Sequence, residues 1–199
     1  LKLNDDGFYT LMIGCSDMGT GCDTILAQMA ADGLGCDMDN IIVRGVDTDQ
    51  SPYDSGSYAS STTYVTGGAV VKACESMRKR ICEEAAAIMG LKSGEVDFDG
   101  ETISENDNPE HSMTLSDLIT SLEAGNGRII EVTESHTSPV SPPPFMAGAA
   151  EIEVDLETGK ITPINYVAAV DCGTVINTNL ARIQTEGGIV QGMGMTLYE

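Results

Sequence analysis

Apolar and polar residues alternate from Gly7 to Ile13, with Phe8, Leu11 and Ile13 marking the pattern, which predicts a strand after the Asp5-Asp6-Gly7 turn. Gly14 to Gly21 follows as a loop with three glycines. Ile25, Leu26, Met29 and Ala30 then share one face of a helix that Gly33 and Gly35 end. Ile41, Ile42 and Val43 form a short β-branched strand, and Thr48 to Ser61 reads as a loop. From Thr62 to Met89 a long helical spacing holds, carried by Val65, Ala69, Val70, Ala73, Met77, Ile81 and Ala85. Gly67-Gly68 would weaken an isolated helix by roughly 1 kcal/mol per glycine. The pair therefore predicts a close approach of another backbone.

Beyond Met89 the pattern changes. Ser93 to Glu110 is acidic and turn-rich and reads as a solvated hairpin or insert. Thr114 with Asp117 three positions on resembles a capping box for a short helix. Arg128 to Glu134 and Ala149 to Asp155 look like strands, separated by the proline-rich stretch Ser138 to Pro144. Glu157-Thr158-Gly159 turns the chain into a strand over Lys160 to Asp171, and a helix runs from Thr178 to Glu199. Strand–loop–helix alternation early and hairpins late predict an α+β chain of mixed sheets with packed helices in two lobes. The expected divisions are 1–92, 93–147 and 148–199.

A chain of 199 residues, 41% of them hydrophobic, can bury a core. Its net charge of −21 repels phosphate backbones and anionic lipid, which argues against nucleic-acid and membrane partners. No apolar run approaches the roughly 20 residues of a bilayer span, and no signal peptide is visible, so the cytoplasm is expected. The chain opens at Leu1 inside a predicted strand, as an excised piece of something longer would. The cysteines at 15, 22, 36, 74, 82 and 172 form no CxxC pair and read as reduced, mostly buried thiols; Cys22, beside the glycine loop, is the one to watch. His111 and His136 have no partner at ligand or triad spacing and read as surface residues.

Three places invite chemistry. Gly19-Thr20-Gly21 opens a helix, where free N–H groups favour anions and glycines let a ligand reach the backbone. It is neither a Rossmann fingerprint nor a P-loop, and a tight turn explains it equally well. Ala59-Ser60-Ser61-Thr62-Thr63 places four hydroxyls ahead of the long helix; a helix cap needs one. Arg44 is the sole basic side chain across residues 11 to 71, so an anion there would be held by neutral donors. Glu186 to Gly194 is glycine-rich, and Gln191 is its one amide, suited to pairing with a buried heterocycle; close helix packing with Gln191 in water is the alternative.

Four motifs occur in order: Asp17-Met18-Gly19-Thr20-Gly21, Asp54 through Gly67 with its run Ser57-Tyr58-Ala59-Ser60-Ser61-Thr62-Thr63-Tyr64, Asp171-Cys172-Gly173 with Ile176-Asn177, and Glu186-Gly187-Gly188-Ile189-Val190-Gln191-Gly192. Together they resemble the molybdopterin-binding large-subunit region of the molybdenum hydroxylases, the xanthine dehydrogenase and aldehyde oxidase family. The resemblance implies that Met18, Gly19, Thr20, Gly21, Ala59, Ser60, Ser61, Thr62 and Gln191 contact a molybdopterin cofactor, with no side chain ligating the molybdenum and no catalytic residue in this chain. It makes 1–92 the first lobe of that region and 148–199 a truncated hairpin-plus-helix part. It implies water-dependent hydroxylation of an N-heterocycle such as a purine, or else a hydroxybenzoyl-CoA reductase-like or non-catalytic assembly role. It also implies a pterin that carries a cytosine dinucleotide in bacterial relatives, remaining large-subunit segments as partners, iron–sulfur clusters and FAD on other domains or subunits, and an oligomeric assembly. Thr20 stands where the family carries glutamine. The family's general-base glutamate, in a Gly-Glu motif, falls beyond Gln191, and neither Glu186 nor Glu199 matches it. The expectation is an interior or split piece that is inactive alone.

Overall fold

In a computed structural model, which describes residues 1–199 apart from the side chain of Asn126, contacts divide the chain into two units, Leu1–Pro139 and Val140–Glu199. The first unit is built on strands β1 (Lys2–Leu3), β2 (Tyr9–Ile13), β3 (Ile41–Gly45) and β7 (Ile130–Glu131), in the order β3-β2-β1-β7. β2 and β3 are parallel, Tyr9 beside Ile41 and Ile13 beside Gly45, so the chain must cross over between them. That crossover is helix α1 (Cys22–Leu34).

Helix α2 (Thr62–Met89) has the bounds the spacing predicts and lies alongside α1. Met29 packs at Gly67 and Cys74 at Gly33, so residue numbers rise together and the helices run parallel. Their N-termini consequently sit at one end of the unit. Gly33 lies inside α1 as the contact point for Cys74; Gly35, left-handed at φ 76°, ends the helix. Arg78 of α2 donates to the Leu34 carbonyl at 3.1 Å and to that of Phe98, and its guanidinium lies 5.4 Å from the Phe98 ring. One half-buried cation thus ties the end of α1 to the sheet that follows.

That sheet corrects the expectation for residues 93–110. Strands β4 (Val96–Phe98), β5 (Thr102–Glu105) and β6 (Asn108–Thr114) pair as antiparallel hairpins, as one form of the expectation had it, but the sheet they form is packed into the core rather than solvated. Val96, Phe98 and Ile103 are buried in the main core, while Asp97 points outward from β4 and Glu105, opposite Val96, is half-buried at the end of β5. Thr114 and Asp117 cap helix α3 (Leu115–Asn126) with reciprocal bonds of 3.1 Å. The expected strand over 128–134 is only β7. Residues 134–136 run along α2 instead, with Ser76 donating to Glu134 at 2.7 Å and Lys72 to the Ser135 carbonyl at 3.3 Å.

The second unit holds a long hairpin, β8 (Phe145–Val154) with β9 (Ile161–Asp171), and helix α4 (Thr178–Tyr198), whose first turn is capped by Asn177 accepting from the Leu180 N–H at 3.0 Å. The expected boundaries at 92/93 and 147/148 both differ from this division. No helix among the described residues is long and apolar enough to cross a membrane.

Candidate functional site

Ligands of open α/β sheets bind beyond the carboxyl ends of parallel strands. Here those ends are Ile13 and Gly45, and the loops that leave them carry the first two predicted motifs. The structure brings these loops together. Ser57 Oγ donates to the Ser16 carbonyl at 2.7 Å and accepts from the Ser16 N–H at 3.0 Å. Asp54 accepts from the Thr66 hydroxyl at 3.0 Å and from the Gly56 N–H at 2.8 Å, pinning the second loop to α2. Gly14 is the contact point, since a Cβ there would meet the Pro52 carbonyl and lie 2.7 Å from Asp54 Cβ.

The two helix N-termini differ in kind. At α1, Met18 is exposed, Gly19 and Gly21 are left-handed (φ 90° and 75°), and Thr20 lies between them. Asp17 already uses the loop's N–H groups, accepting from Gly19 at 2.8 Å and Gly21 at 3.1 Å. Partial burial works to raise the Asp17 pKa, but the N–H groups of Gly19, Gly21, Asp23 and Thr20 outweigh it and hold the carboxyl below its usual range. The expected donor set at Gly19–Gly21 is therefore largely occupied by the protein's own carboxylate. Asp17, Cys22 and Asp23 bring ligand atoms within 4.8 Å of one another. Burial pushes the Cys22 thiol up to about 12, so it is a packed thiol rather than a nucleophile.

At α2 the N-terminus has no side-chain cap. The cap residue Ser61 adopts a helical conformation and makes no capping bond; its hydroxyl donates backwards to the Tyr58 carbonyl at 2.7 Å. The simple helix-cap reading of residues 59–63 fails on that bond. Ala59 and Ser60 both hold left-handed backbones (φ 54° and 55°), a conformation costing non-glycine residues about 1–2 kcal/mol each. Ser60 is exposed and Thr62 half-buried. These two left-handed residues, Ala59 and Ser60, therefore set the path by which the chain enters α2.

The glycine pair is filled by side chains, not by the expected backbone. Met29 meets Gly67, and the His136 ring lies on Gly68, where a Cβ would be 2.9 Å from its Nε2. His136 is thus half-buried, with Nδ1 enclosed and unpartnered, and corrects the surface reading. His111 is exposed and pairs with Glu105 at 2.8 Å. All six cysteines are free, and Cys172 alone is exposed. Gln191 stands exposed on α4 in the second unit, and Cβ atoms at Gly187, Gly188, Gly192 and Gly194 would meet nothing within 4 Å.

A βαβ crossover beside a second parallel helix, with two joined loops at the strand ends, defines a small-molecule-binding α+β chain. Residues 1–199 match the family described as molybdopterin cofactor-binding domain, and the chain belongs to that family, within the molybdenum hydroxylases. It is 32% identical over 200 residues to the probable hypoxanthine oxidase XdhD of Escherichia coli (strain K12), covering 100% of this chain and 21% of that protein. It is 28% identical over 203 residues to the putative xanthine dehydrogenase molybdenum-binding subunit XdhA of the same organism, covering 100% of this chain and 27% of that protein. In structure it resembles reconstituted CO dehydrogenase from Oligotropha carboxidovorans, with a TM-score of 0.78 and 26% identity over 94% of this chain and 24% of that one. The chain therefore spans about a fifth to a quarter of the curated relatives it matches.

Proposed function

We propose that this chain cradles the pterin and phosphate of the molybdenum cofactor in an enzyme that hydroxylates an N-heterocycle of purine type. One observation carries the reading: the uncapped N-terminus of α2, held open by left-handed Ala59 and Ser60 and joined to the Met18–Gly21 loop through Ser16 and Ser57. The donor chemistry fits a phosphorylated heterocycle. A helix N-terminus without a side-chain cap, with the Ser60 and Thr62 hydroxyls beside it, suits phosphate oxygens without needing a cation. Gly19 leaves open space where a planar ring system can approach the backbone. Gln191, in the second unit, offers a donor and an acceptor together, and its contact with the pterin is implied by the family resemblance alone. When bound, the cofactor supplies two-electron redox chemistry at molybdenum. The protein's part is to bind and orient it, with Thr20 giving a shorter reach than a glutamine would.

The purine assignment is supported by the names of the two Escherichia coli relatives. On this reading the electrons leave through iron–sulfur and flavin groups on other domains or subunits, in the cytoplasm, and the isolated chain has no turnover. In the complete enzyme, Ser60→Trp and Ser61→Trp should each lower molybdenum and pterin content at least tenfold while the protein stays folded by circular dichroism. Unchanged cofactor content in both variants would overturn the reading.

A further inference from the structure

The second unit has no core of its own: among its described residues, Val140 to Glu199, not one is buried. In the observed register, one face of the hairpin is apolar along its whole length, with Met146 opposite Val170, Ala150 opposite Tyr166, and Val154 opposite Ile161. The other face is mixed: Glu151 opposite Asn165 and Glu153 opposite Thr162 make it polar near the turn, and Ala149 opposite Val167 continues it away from the turn. α4 turns a matching row toward the apolar face, where Gly188, Ile189, Gly192 and Met193 repeat at helical spacing. Between the two lies a groove of about 660 Å³. Ile152 and Ile161, which line it, are 51% and 42% exposed. A contiguous apolar groove of this extent marks an interaction surface, and a lone two-stranded hairpin is at best marginally stable in water.

We propose that this groove receives an apolar, uncharged segment from the rest of a molybdenum hydroxylase large chain, which completes the second unit as a packed layer. This rests on the functional reading above. The match to CO dehydrogenase covers 94% of this chain, so it takes in most of the hairpin and α4, yet it covers only 24% of that longer chain. The relatives therefore carry the same hairpin and helix alongside a much longer polypeptide. A second copy is disfavoured because each copy brings a net charge of −21 to the encounter. An apolar occupant suits the site because Gly188 and Gly192 leave room for another backbone to approach α4 closely.

The test uses Ile152→Cys in the groove and Glu153→Cys on the opposite face, each placed both in the 199-residue chain and in the complete enzyme. Maleimide labelling is read peptide by peptide. Ile152→Cys should label at least a hundredfold more slowly in the complete enzyme, whereas Glu153→Cys should change less than threefold. A benzophenone maleimide on Ile152→Cys in the complete enzyme should cross-link to large-chain residues outside positions 1–199. Equal labelling of Ile152→Cys in both contexts, or cross-links to a second copy, to another subunit or to lipid, would overturn the proposal. Molybdenum measured on the same samples separates the two claims: protection without molybdenum keeps the groove and discards the cofactor reading, and molybdenum without protection does the reverse.

Discussion

Gly14→Ala is the sharpest probe of how the two candidate loops are joined. The added methyl would meet the Pro52 carbonyl oxygen, Asp54 Cβ at 2.7 Å and the Asp54 nitrogen at 2.9 Å. These are backbone atoms or the first carbon of a side chain, so no rotamer change relieves the clash. The second loop must lift, straining the paired Ser57–Ser16 bonds and the Thr66–Asp54 bond. Overpacking of this kind costs about 1–3 kcal/mol. Each hydrogen bond given up adds about 1 kcal/mol. Losing the flexibility of glycine in the unfolded chain returns roughly 0.4–1 kcal/mol. The expected net loss is therefore about 2–4 kcal/mol, a fall in Tm of roughly 4–16 °C for a chain of this size.

Calorimetry on the full chain reads the loss, and hydrogen exchange at the Ser16 amide reads its location, because Ser57 Oγ accepts that N–H. Gly19→Ala is the control. Its Cβ would meet nothing within 4 Å, so only the left-handed backbone at φ 90° resists it, for about 1 kcal/mol. If Gly14→Ala melts with the wild type, or if Gly14→Ala and Gly19→Ala cost the same, the loops are not packed as described.

Acid should remove the turn and cap contributions of four aspartates. Asp17, Asp99, Asp117 and Asp155 titrate below their ordinary value: Asp17 by loop N–H groups acting against burial, Asp99 by the Thr102 and Glu101 N–H groups, Asp117 by the Thr114 hydroxyl, and Asp155 by the Thr158 hydroxyl. Each binds fewer protons folded than unfolded, so its stabilisation is full above the unfolded value near 4 and fades as pH falls through the lowered folded value. The Tm gap between wild type and Asp117→Asn should thus be constant from pH 7 to pH 5 and close on further acidification; a gap that widens in acid contradicts the assignment. Thiol chemistry should be equally selective. Burial pushes Cys22 to about 12 and Cys74 to about 11 and raises Cys15, Cys36 and Cys82, so iodoacetamide at pH 8 should modify exposed Cys172 first; early modification of Cys22 would show that the α1 N-terminus is open to solvent.

Helical periodicity was the most legible feature of the chain. Thr62–Met89 is long enough for its buried positions to repeat several times, and its bounds follow from the spacing alone. Thr114 and Asp117 were equally readable, because a capping box is a local bond between residues three apart. Two-residue strands such as Lys2–Leu3 and Ile130–Glu131 carry no period; Lys2–Leu3 pairs with nearby Tyr9–Thr10, and Ile130–Glu131 becomes a strand only through Lys2–Leu3 at the other end of the unit. The sheet over residues 96–114 was hidden by its charges: Val96, Phe98 and Ile103 alternate inward, but the carboxylates between and around them dominate the composition. The enclosure of His136 was invisible for a different reason, since Gly68 lies 68 positions away and shows only an absent side chain.

The candidate site divides along the same line. Two glycine- and hydroxyl-rich helix starts looked equivalent in sequence, because each offers free N–H groups ahead of an apolar run. The structure separates them through two short-range facts. Asp17 lies two and four residues before Gly19 and Gly21, within reach of an Asx turn, and so takes the α1 donors for itself. Ser61 turns its hydroxyl back to Tyr58 and gives α2 no side-chain cap. In a chain of net charge −21 this asymmetry matters to the proposed reading, in which an anion would find little cationic help and would have to be held by dipoles. The first loop then acts as a rigid wall set by its own carboxylate, and the second as the open end. The left-handed strain at Ala59 and Ser60 belongs to the second, and on the reading proposed above it is a cost that binding an anion would offset.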